Sequence, residues 1–344
     1  MGDYTRIKRL GAGGFGEVWL ARHVALNVLH AVKFVHPSKV IAPSDFYKEP
    51  KLLKSLEHRN IVQVHDAGFV SGELYIAMEY VRAGSVESYS ANQPIKLRRI
   101  KPIFCEALKG LQFVHDKGYL HRDIKPANIL IGSNGGGKLA DFGLAIPQKD
   151  ALLAGPAGTL TYMAPEILAI GKTTRLTDIY AMGVSLYEAV NGFGYFPAVS
   201  KSTKLANQIL AGEFPDRSYH RIFVPRALKM IINRAMNPDP AKRYQTADEL
   251  RLALEATKIR CSWREKTSGG ITTWTTSDQT RTVTLTIRPV ATEWQLETRH
   301  GGHKGGALRK VNRLCGIFPR EQNVKRRVAE ITQALVQGQE IADL

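Results

Sequence analysis

One ordered set of short segments constrains this chain more than anything else in it. His121-Arg122-Asp123-Ile124-Lys125-Pro126-Ala127-Asn128 is followed, thirteen residues after Asn128, by Asp141-Phe142-Gly143, and then by Ala164-Pro165-Glu166. The mix is a carboxylate, a cation, an amide and a second carboxylate in a fixed order. Asp123 can take or orient the proton of an attacking hydroxyl, and Lys125 can offset charge on a transferred phosphoryl group. Asn128 and Asp141 can hold a magnesium ion. Phosphoryl transfer is mostly positioning plus charge neutralisation, so it needs this combination.

Upstream, Leu10-Gly11-Ala12-Gly13-Gly14-Phe15-Gly16-Glu17-Val18 lies between two expected strands. Glycines let a backbone turn tightly and offer N–H groups to phosphate oxygens. Taken alone, an ordinary hairpin turn explains the cluster equally well. The strand-to-strand setting disfavours the dinucleotide fingerprint, which needs a helix after its glycines. Lys33, on the next strand after Ala31, would need an anionic partner if buried, and Glu49 is the candidate. Pro50 follows Glu49 directly. Proline is tolerated in a first helical turn and costs about 3 kcal/mol in an interior, so the helix is expected to start near Glu49 or to kink there.

The first eighty residues read as strands at Arg6–Leu10, Glu17–Val24, Leu29–Val35 and Leu74–Tyr80, with one helix around Phe46–Leu56. Helical periodicity takes over at Ile103–Lys117, Asp178–Asn191, Pro225–Met236 and Ala247–Thr257, the last with Thr246 and Asp248 as candidate caps. Past residue 258 the texture changes. Arg281–Arg288 alternates with Val283, Leu285 and Ile287 on one face, and Val324, Val328, Ile331 and Leu335 repeat at helical spacing. Trp263, Trp274 and Trp294 can supply a small core for a four-strand-then-helix unit.

With these segments in place, residues 4–258 resemble a eukaryotic-like serine/threonine protein kinase catalytic domain of the kind also found in bacteria. The resemblance implies an α+β, two-lobed protein kinase fold, with a small β-rich lobe at about 1–80 and a large helical lobe at about 83–258. Residues 259–344 then form a separate small α+β domain of unknown role. The resemblance also implies ATP and Mg2+ as cofactors, and protein substrates with serine or threonine hydroxyls. Asp123, Lys125 and Lys33 are the implied catalytic residues, and Asn128 and Asp141 the implied metal ligands. The implied ATP-binding set is Leu10, Gly11, Gly13, Gly14, Gly16, Val18, Ala31, Lys33, Glu49, Met78, Glu79 and Val81. Within it, Met78 is the gatekeeper, and the backbone near Glu79 and Val81 meets adenine. Asp178 matches the aspartate that braces the catalytic loop, and Arg243 the arginine that pairs with Glu166. Lys125 and the Gly158-Thr159 segment before Tyr162 resemble the serine/threonine branch. An ATP-binding scaffold without transfer is disfavoured, because Lys33, Asp123, Asn128 and Asp141 are all present.

One departure stands out. Between Gly143 and Gly158 there is no Ser, Thr or Tyr, although an arginine before the catalytic aspartate, here Arg122, often orders this loop through a phosphate. Either the loop orders itself through its apolar residues, or Asp150, the one acidic side chain in it, partly substitutes for the phosphate, or a partner does the work; Thr161 is the remaining candidate for modification.

The chain carries 48 Lys+Arg against 31 Asp+Glu, a net charge of +17. The densest stretch, Arg299–Arg327, holds nine basic residues and one acidic, which suits nucleic acid or an acidic partner. Three scattered cysteines point to a reducing compartment. No apolar run is long enough for a membrane span, and a cytoplasmic location is expected.

Overall fold

A computed structural model of the chain describes residues 4–13, 16–35, 47–70, 73–90, 93–151, 155, 157–192, 204–302 and 307–344. Gly14 and Phe46 lie outside them. The N-terminal part is an antiparallel sheet of β1 (Tyr4–Gly13), β2 (Gly16–His23), β3 (Leu29–Val35), β4 (Val64–Val70) and β5 (Glu73–Glu79), in the order β1-β2-β3-β5-β4. Helix α1 (Lys48–Ser55) lies between β3 and β4 in the chain. Side chains alternate across a strand, and both faces of this sheet are covered. Val35, Leu74, Ile76 and Met78 share one buried cluster with Val62 and Val81, whereas Val32, Phe34, Tyr75 and Ala77 share the other with Ala21. Lys33 has the parity of Val35, so it points to the face that looks onto α1. The Arg6 guanidinium lies 4.0 Å over the Phe34 ring on the opposite face.

The larger part is helical, with α2 (Val86–Ser90), α3 (Leu97–Asp116), α4 (Pro165–Ile170), α5 (Arg175–Asn191), α6 (Leu205–Leu210), α7 (Arg226–Ala235) and α8 (Ala247–Glu255). Two short two-stranded ribbons, β6 (Tyr119–Leu120) with β9 (Ile146–Pro147) and β7 (Ile129–Ile131) with β8 (Gly137–Leu139), carry the catalytic segments. Helix α5 is buried on all sides from Thr177 to Asn191, as a central helix must be. It starts at a Thr174–Thr177 capping box. Thr246 caps α8, accepting from Glu249 N at 3.0 Å. Asp248 instead lies inside the first turn and binds Arg251.

The C-terminal sheet has six strands where four were expected. Strands β10 (Arg264–Ser268), β11 (Ile271–Ser277), β12 (Arg281–Val290) and β13 (Glu293–Gly302) form an antiparallel meander, and both β14 (Arg309–Lys310) and β15 (Gly316–Phe318) pair with β13. Helix α9 (Glu321–Gln337) buries the expected stripe Val324, Val328, Ile331 and Leu335 in one core with Trp274, Leu285, Ile287 and Leu296. That core is continuous with the core of the helical lobe.

Among the described residues of the basic stretch 299–327, several cations are already engaged. Arg313 donates inward to the Ile341 and Ala342 carbonyls, Arg299 binds Glu297, Lys325 pairs with Glu321, and Arg327 pairs with Glu330.

A polar chain helps to join the two parts. Arg221 donates to the Asn191 carbonyl at 2.7 Å and to Glu265 Oε1 at 2.7 Å, while Glu265 Oε2 accepts from the buried Trp274 indole at 2.7 Å. Removing Glu265 strands a buried N–H and a half-buried guanidinium, each worth about 1–3 kcal/mol. Glu265→Ala is therefore expected to lower unfolding stability by about 2 kcal/mol in urea titrations, and Glu265→Gln by less. A loss below about 0.5 kcal/mol for the alanine variant would show that the chain does not hold the parts together.

Candidate active site

Helix α1 begins at Lys48, so Pro50 stands in the first turn, where its missing N–H is no loss. Glu49 thereby reaches Lys33. The ammonium lies 2.8 Å and 3.0 Å from the two Glu49 oxygens and 3.4 Å from Asp141 Oδ1. Burial disfavours the Lys33 charge, but Glu49 and Asp141 outweigh it and raise its pKa. Burial pushes the Asp141 carboxyl upward, yet Lys33, His121 and Lys125 hold it below its ordinary value. A buried ammonium between two carboxylates is suited to a polyphosphate.

Asp178, on α5, is fully buried. Its Oδ2 accepts from His121 N at 3.0 Å and sits 2.9 Å from His115 Nε2, and its Oδ1 accepts from Arg122 N at 2.9 Å. These bonds hold the loop that carries Asp123, in which Arg122 adopts a left-handed φ of 68°. His121 Nδ1 accepts from Asp123 N, so its Nε2 carries the proton and donates to the Ala140 carbonyl at 3.2 Å. The ring packs on Phe142, with centroids 4.5 Å apart. Asp141 also has a left-handed φ, 60°.

Asp123 is held at both oxygens. Its Oδ1 accepts from Thr159 N at 3.1 Å and Thr159 Oγ1 at 3.0 Å. Its Oδ2 accepts from Lys125 Nζ at 2.7 Å and Asn128 Nδ2 at 3.0 Å. Lys125 also reaches Thr159 Oγ1 at 2.9 Å. Gly158, at φ 109°, lets the segment approach this closely, since a Cβ there would meet the Arg122 carbonyl at 2.5 Å. Gly16 does the same for the glycine turn: at φ 143°, a Cβ would lie 2.2 Å from the Phe34 carbonyl.

On the sheet side, Val18 pairs in register with Lys33, and Ala31 with Met78. Leu10, Gly11 and Gly13 lie on β1. Glu79 ends β5, with its carboxylate 2.8 Å from Lys138 Nζ, and Val81 is buried with Met78. Further down, Arg243 grips Glu166 with two bonds of 2.6 Å and 2.8 Å while 1% exposed.

A model of the protein kinase domain matches residues 4–253. The chain belongs to the protein kinase family. Among its relatives are the serine/threonine-protein kinase PrkC of Bacillus subtilis, 31% identical over 258 residues, covering 72% of this chain and 39% of that protein. The serine/threonine-protein kinase PknH of Mycobacterium bovis is 32% identical over 259 residues, covering 73% and 43%. The CBL-interacting protein kinase 17 of rice is 30% identical over 256 residues, covering 72% and 55%. The chain thus spans about two fifths to just over half the length of these relatives.

The donor set of this kinase fits Mg2+. Asn128 turns its Nδ2 to Asp123, which leaves Oδ1 facing away, and one Asp141 oxygen remains beyond the Lys33 contact. Mg2+ is usually held by one or two protein oxygens plus phosphates and water. No group of three His, Cys, Asp or Glu suited to a metal occurs among the described residues.

One pair at a pocket that Tyr162 lines together with Asp123 has no local sign in the sequence. Tyr162 donates to Glu188 Oε2 at 2.5 Å, and Glu188, on α5, is 3% exposed. Burial pushes the Glu188 carboxyl up to about 7, against the Tyr162 bond, with Glu87 adding to the rise. In the unfolded chain the same group ionises near 4.5. Between these values the unfolded state loses its proton first, so the stability contribution falls as pH rises and stays low above 7. Glu188→Gln keeps an acceptor for Tyr162 and removes the charge. It should gain on the order of 2–3 kcal/mol in urea unfolding at pH 8 and almost nothing at pH 4. An equal gain at both pH values would refute this protonation assignment.

Proposed function

We propose that the chain is an active serine/threonine protein kinase that transfers the γ-phosphoryl group of ATP to protein hydroxyls. The carrying observation is that Asp141 sits beside Lys33, itself paired to Glu49, while Asn128 binds Asp123 and His121 ties Asp123 to the Ala140 carbonyl next to Asp141. Adenine would lie between Val18 and Ala31 above and the Met78–Val81 backbone beside it. The β1–β2 turn, with Leu10, Gly11, Gly13, Gly14 and Gly16, would cover the phosphates. Lys33 would hold the α- and β-phosphates, and Asn128 and Asp141 would hold Mg2+, which would supply neutralisation of the negative charge on the transferred group.

Asp123 then orients the acceptor hydroxyl and takes its proton, while Lys125, bonded to both Asp123 and Thr159, offsets charge on the transferred group. The serine/threonine preference rests on that Lys125–Thr159 arrangement and on the relatives' names. The reading divides the chain into a catalytic domain at 1–258 and a C-terminal domain at 259–344. Three free cysteines and the need for ATP favour the cytoplasm. No helix among the described residues is long and apolar enough to cross a membrane.

With labelled ATP and a generic protein substrate, Asp123→Ala should lower kcat by about 100-fold or more and leave ATP binding nearly unchanged. Asp141→Ala should abolish Mg2+-dependent transfer. Nucleotide binding without transfer by the unaltered protein would make it a scaffold instead. Near-normal turnover by Asp123→Ala would exclude that carboxylate as the group that meets the acceptor hydroxyl.

We also infer that activity needs no phosphate on the loop between Gly143 and Gly158. Arg122 donates to the Gly155 carbonyl, and no ion pair joins it to Asp150 among the described residues. Thr159 is engaged by Asp123 and Lys125, and Thr161 is 6% exposed. Phosphatase treatment, checked by mass spectrometry, should leave initial rates unchanged. A silenced enzyme, with Thr161→Ala equally silent, would overturn the inference.

A further inference from the structure

The C-terminal sheet has two unlike faces. One packs on α9 through Trp274, Val283, Leu285, Ile287 and Leu296. The other is open. Cross-strand register places Arg264, Thr275, Thr284, Arg299 and Lys310 in one row across β10-β11-β12-β13-β14. The neighbouring row is Lys266, Thr273, Thr286 and Glu297, and Arg288 stands beyond it beside Gln295. Alternation puts all of these on the face away from α9.

The cations Arg264, Lys266, Arg288, Arg299 and Lys310 are exposed, and the threonines between them are half-buried. Arg299 is matched by Glu297, the one acid in these rows. That carboxylate is held below its ordinary range by the Arg299 bond first and then by the Arg288 and Lys310 charges. Among the described residues, Arg264, Lys266, Arg288 and Lys310 form no ion pair, although Arg288 donates to the Gln295 amide at 2.8 Å.

We propose that this open sheet face binds the phosphate backbone of a nucleic-acid duplex without regard to sequence. Four uncompensated cations with hydroxyl donors between them match a polyanion. At about 4.8 Å per strand, the row from Arg264 to Lys310 spans roughly 19 Å, enough to reach phosphates on both sides of a groove about 12 Å wide. The composition of the face disfavours the other partners. A protein partner needs a desolvated centre of aromatic or aliphatic anchors, whereas the exposed Ile271, Val290 and Ile317 stand apart on three strands. Base stacking of a single strand needs aromatic rings, and this face presents none.

The test uses the full chain and a fluorescently labelled 20-base-pair duplex of arbitrary sequence, read by anisotropy. Four neutralised phosphates predict that affinity falls on the order of 100-fold between about 50 and 200 mM salt. Lys266→Glu with Lys310→Glu should weaken binding at the lower salt by at least about 100-fold. The same charge change on α9's side, Arg320→Glu with Arg326→Glu, should change it less than threefold. Circular dichroism melts and kinase rates report whether each variant is folded. A duplex of unrelated sequence should bind alike. Three results would each overturn the proposal: no binding at the lower salt, equal losses from both charge-reversed pairs, or tight binding of poly-glutamate in place of the duplex. The last would assign the face to an acidic protein.

Discussion

A buried carboxylate costs several kcal/mol unless it is fully paired, and Asp178 is paired by α3 and by the loop that carries Asp123. Its partners are the backbone N–H groups of His121 and Arg122 and the ring of His115. The bond to Arg122 N secures a left-handed residue that would otherwise cost about 1–3 kcal/mol. That turn presents Asp123 to Thr159, Lys125 and Asn128. The next link is His121, whose ring accepts from Asp123 N on one side and donates to the Ala140 carbonyl on the other. Asp123 and Asp141 are therefore positioned from one anchor on α5. That helix can serve as the anchor because it is buried from Thr177 onward.

The loop contact of Arg122 has a different physical character from the one its position suggests. A phosphate would bring nearly two charges and several acceptors to the guanidinium; a peptide carbonyl brings one neutral acceptor. Hydrogen bonds to a charged group contribute about 1.5–3 kcal/mol, enough to bias a short segment but not to switch it. A carbonyl cannot be added or removed by another enzyme. On the proposed reading, a phosphate within Leu144–Ala157 is not what controls transfer.

What can be read in the sequence follows from how local each signal is. The motifs carrying Asp123, Asn128 and Asp141, and the helical stripes of α3, α5, α7 and α9, are contiguous or periodic, and they appear where expected. Strand β4 escapes a reading by pattern because Val64-His65-Asp66-Ala67-Gly68 breaks the alternation, and a register shift between Val64 and Asp66 explains why. Strand β10, Arg-Glu-Lys-Thr-Ser, is polar along its length because one face is open and its inward Glu265 is used as an acceptor. The Tyr162–Glu188 and Arg221–Glu265–Trp274 contacts join residues far apart in sequence, so no spacing announces them. Pro50 shows the reverse case: its effect is ambiguous until the helix start fixes it in the first turn.

The join between the two parts bears on what the C-terminal sheet can do. Between Glu255 and Arg264 the chain has no free linker. Thr257 and Trp263 are buried, Arg98 N donates to Ser262 Oγ at 3.0 Å, and Lys101 donates to the Thr257 carbonyl at 2.9 Å. Arg260 N, in turn, is tied to the Val336 carbonyl at the end of α9 at 2.7 Å. A tethered module would search space through its linker; this one is fastened to α3, α5 and the segment around Arg221. Arg221 binds the last residue of α5, the same helix that holds Asp178 and Glu188. A ligand on the open sheet face would therefore be held in a fixed relation to the helix that anchors the catalytic loop. Any influence it has on transfer has a contiguous route through packed and bonded groups.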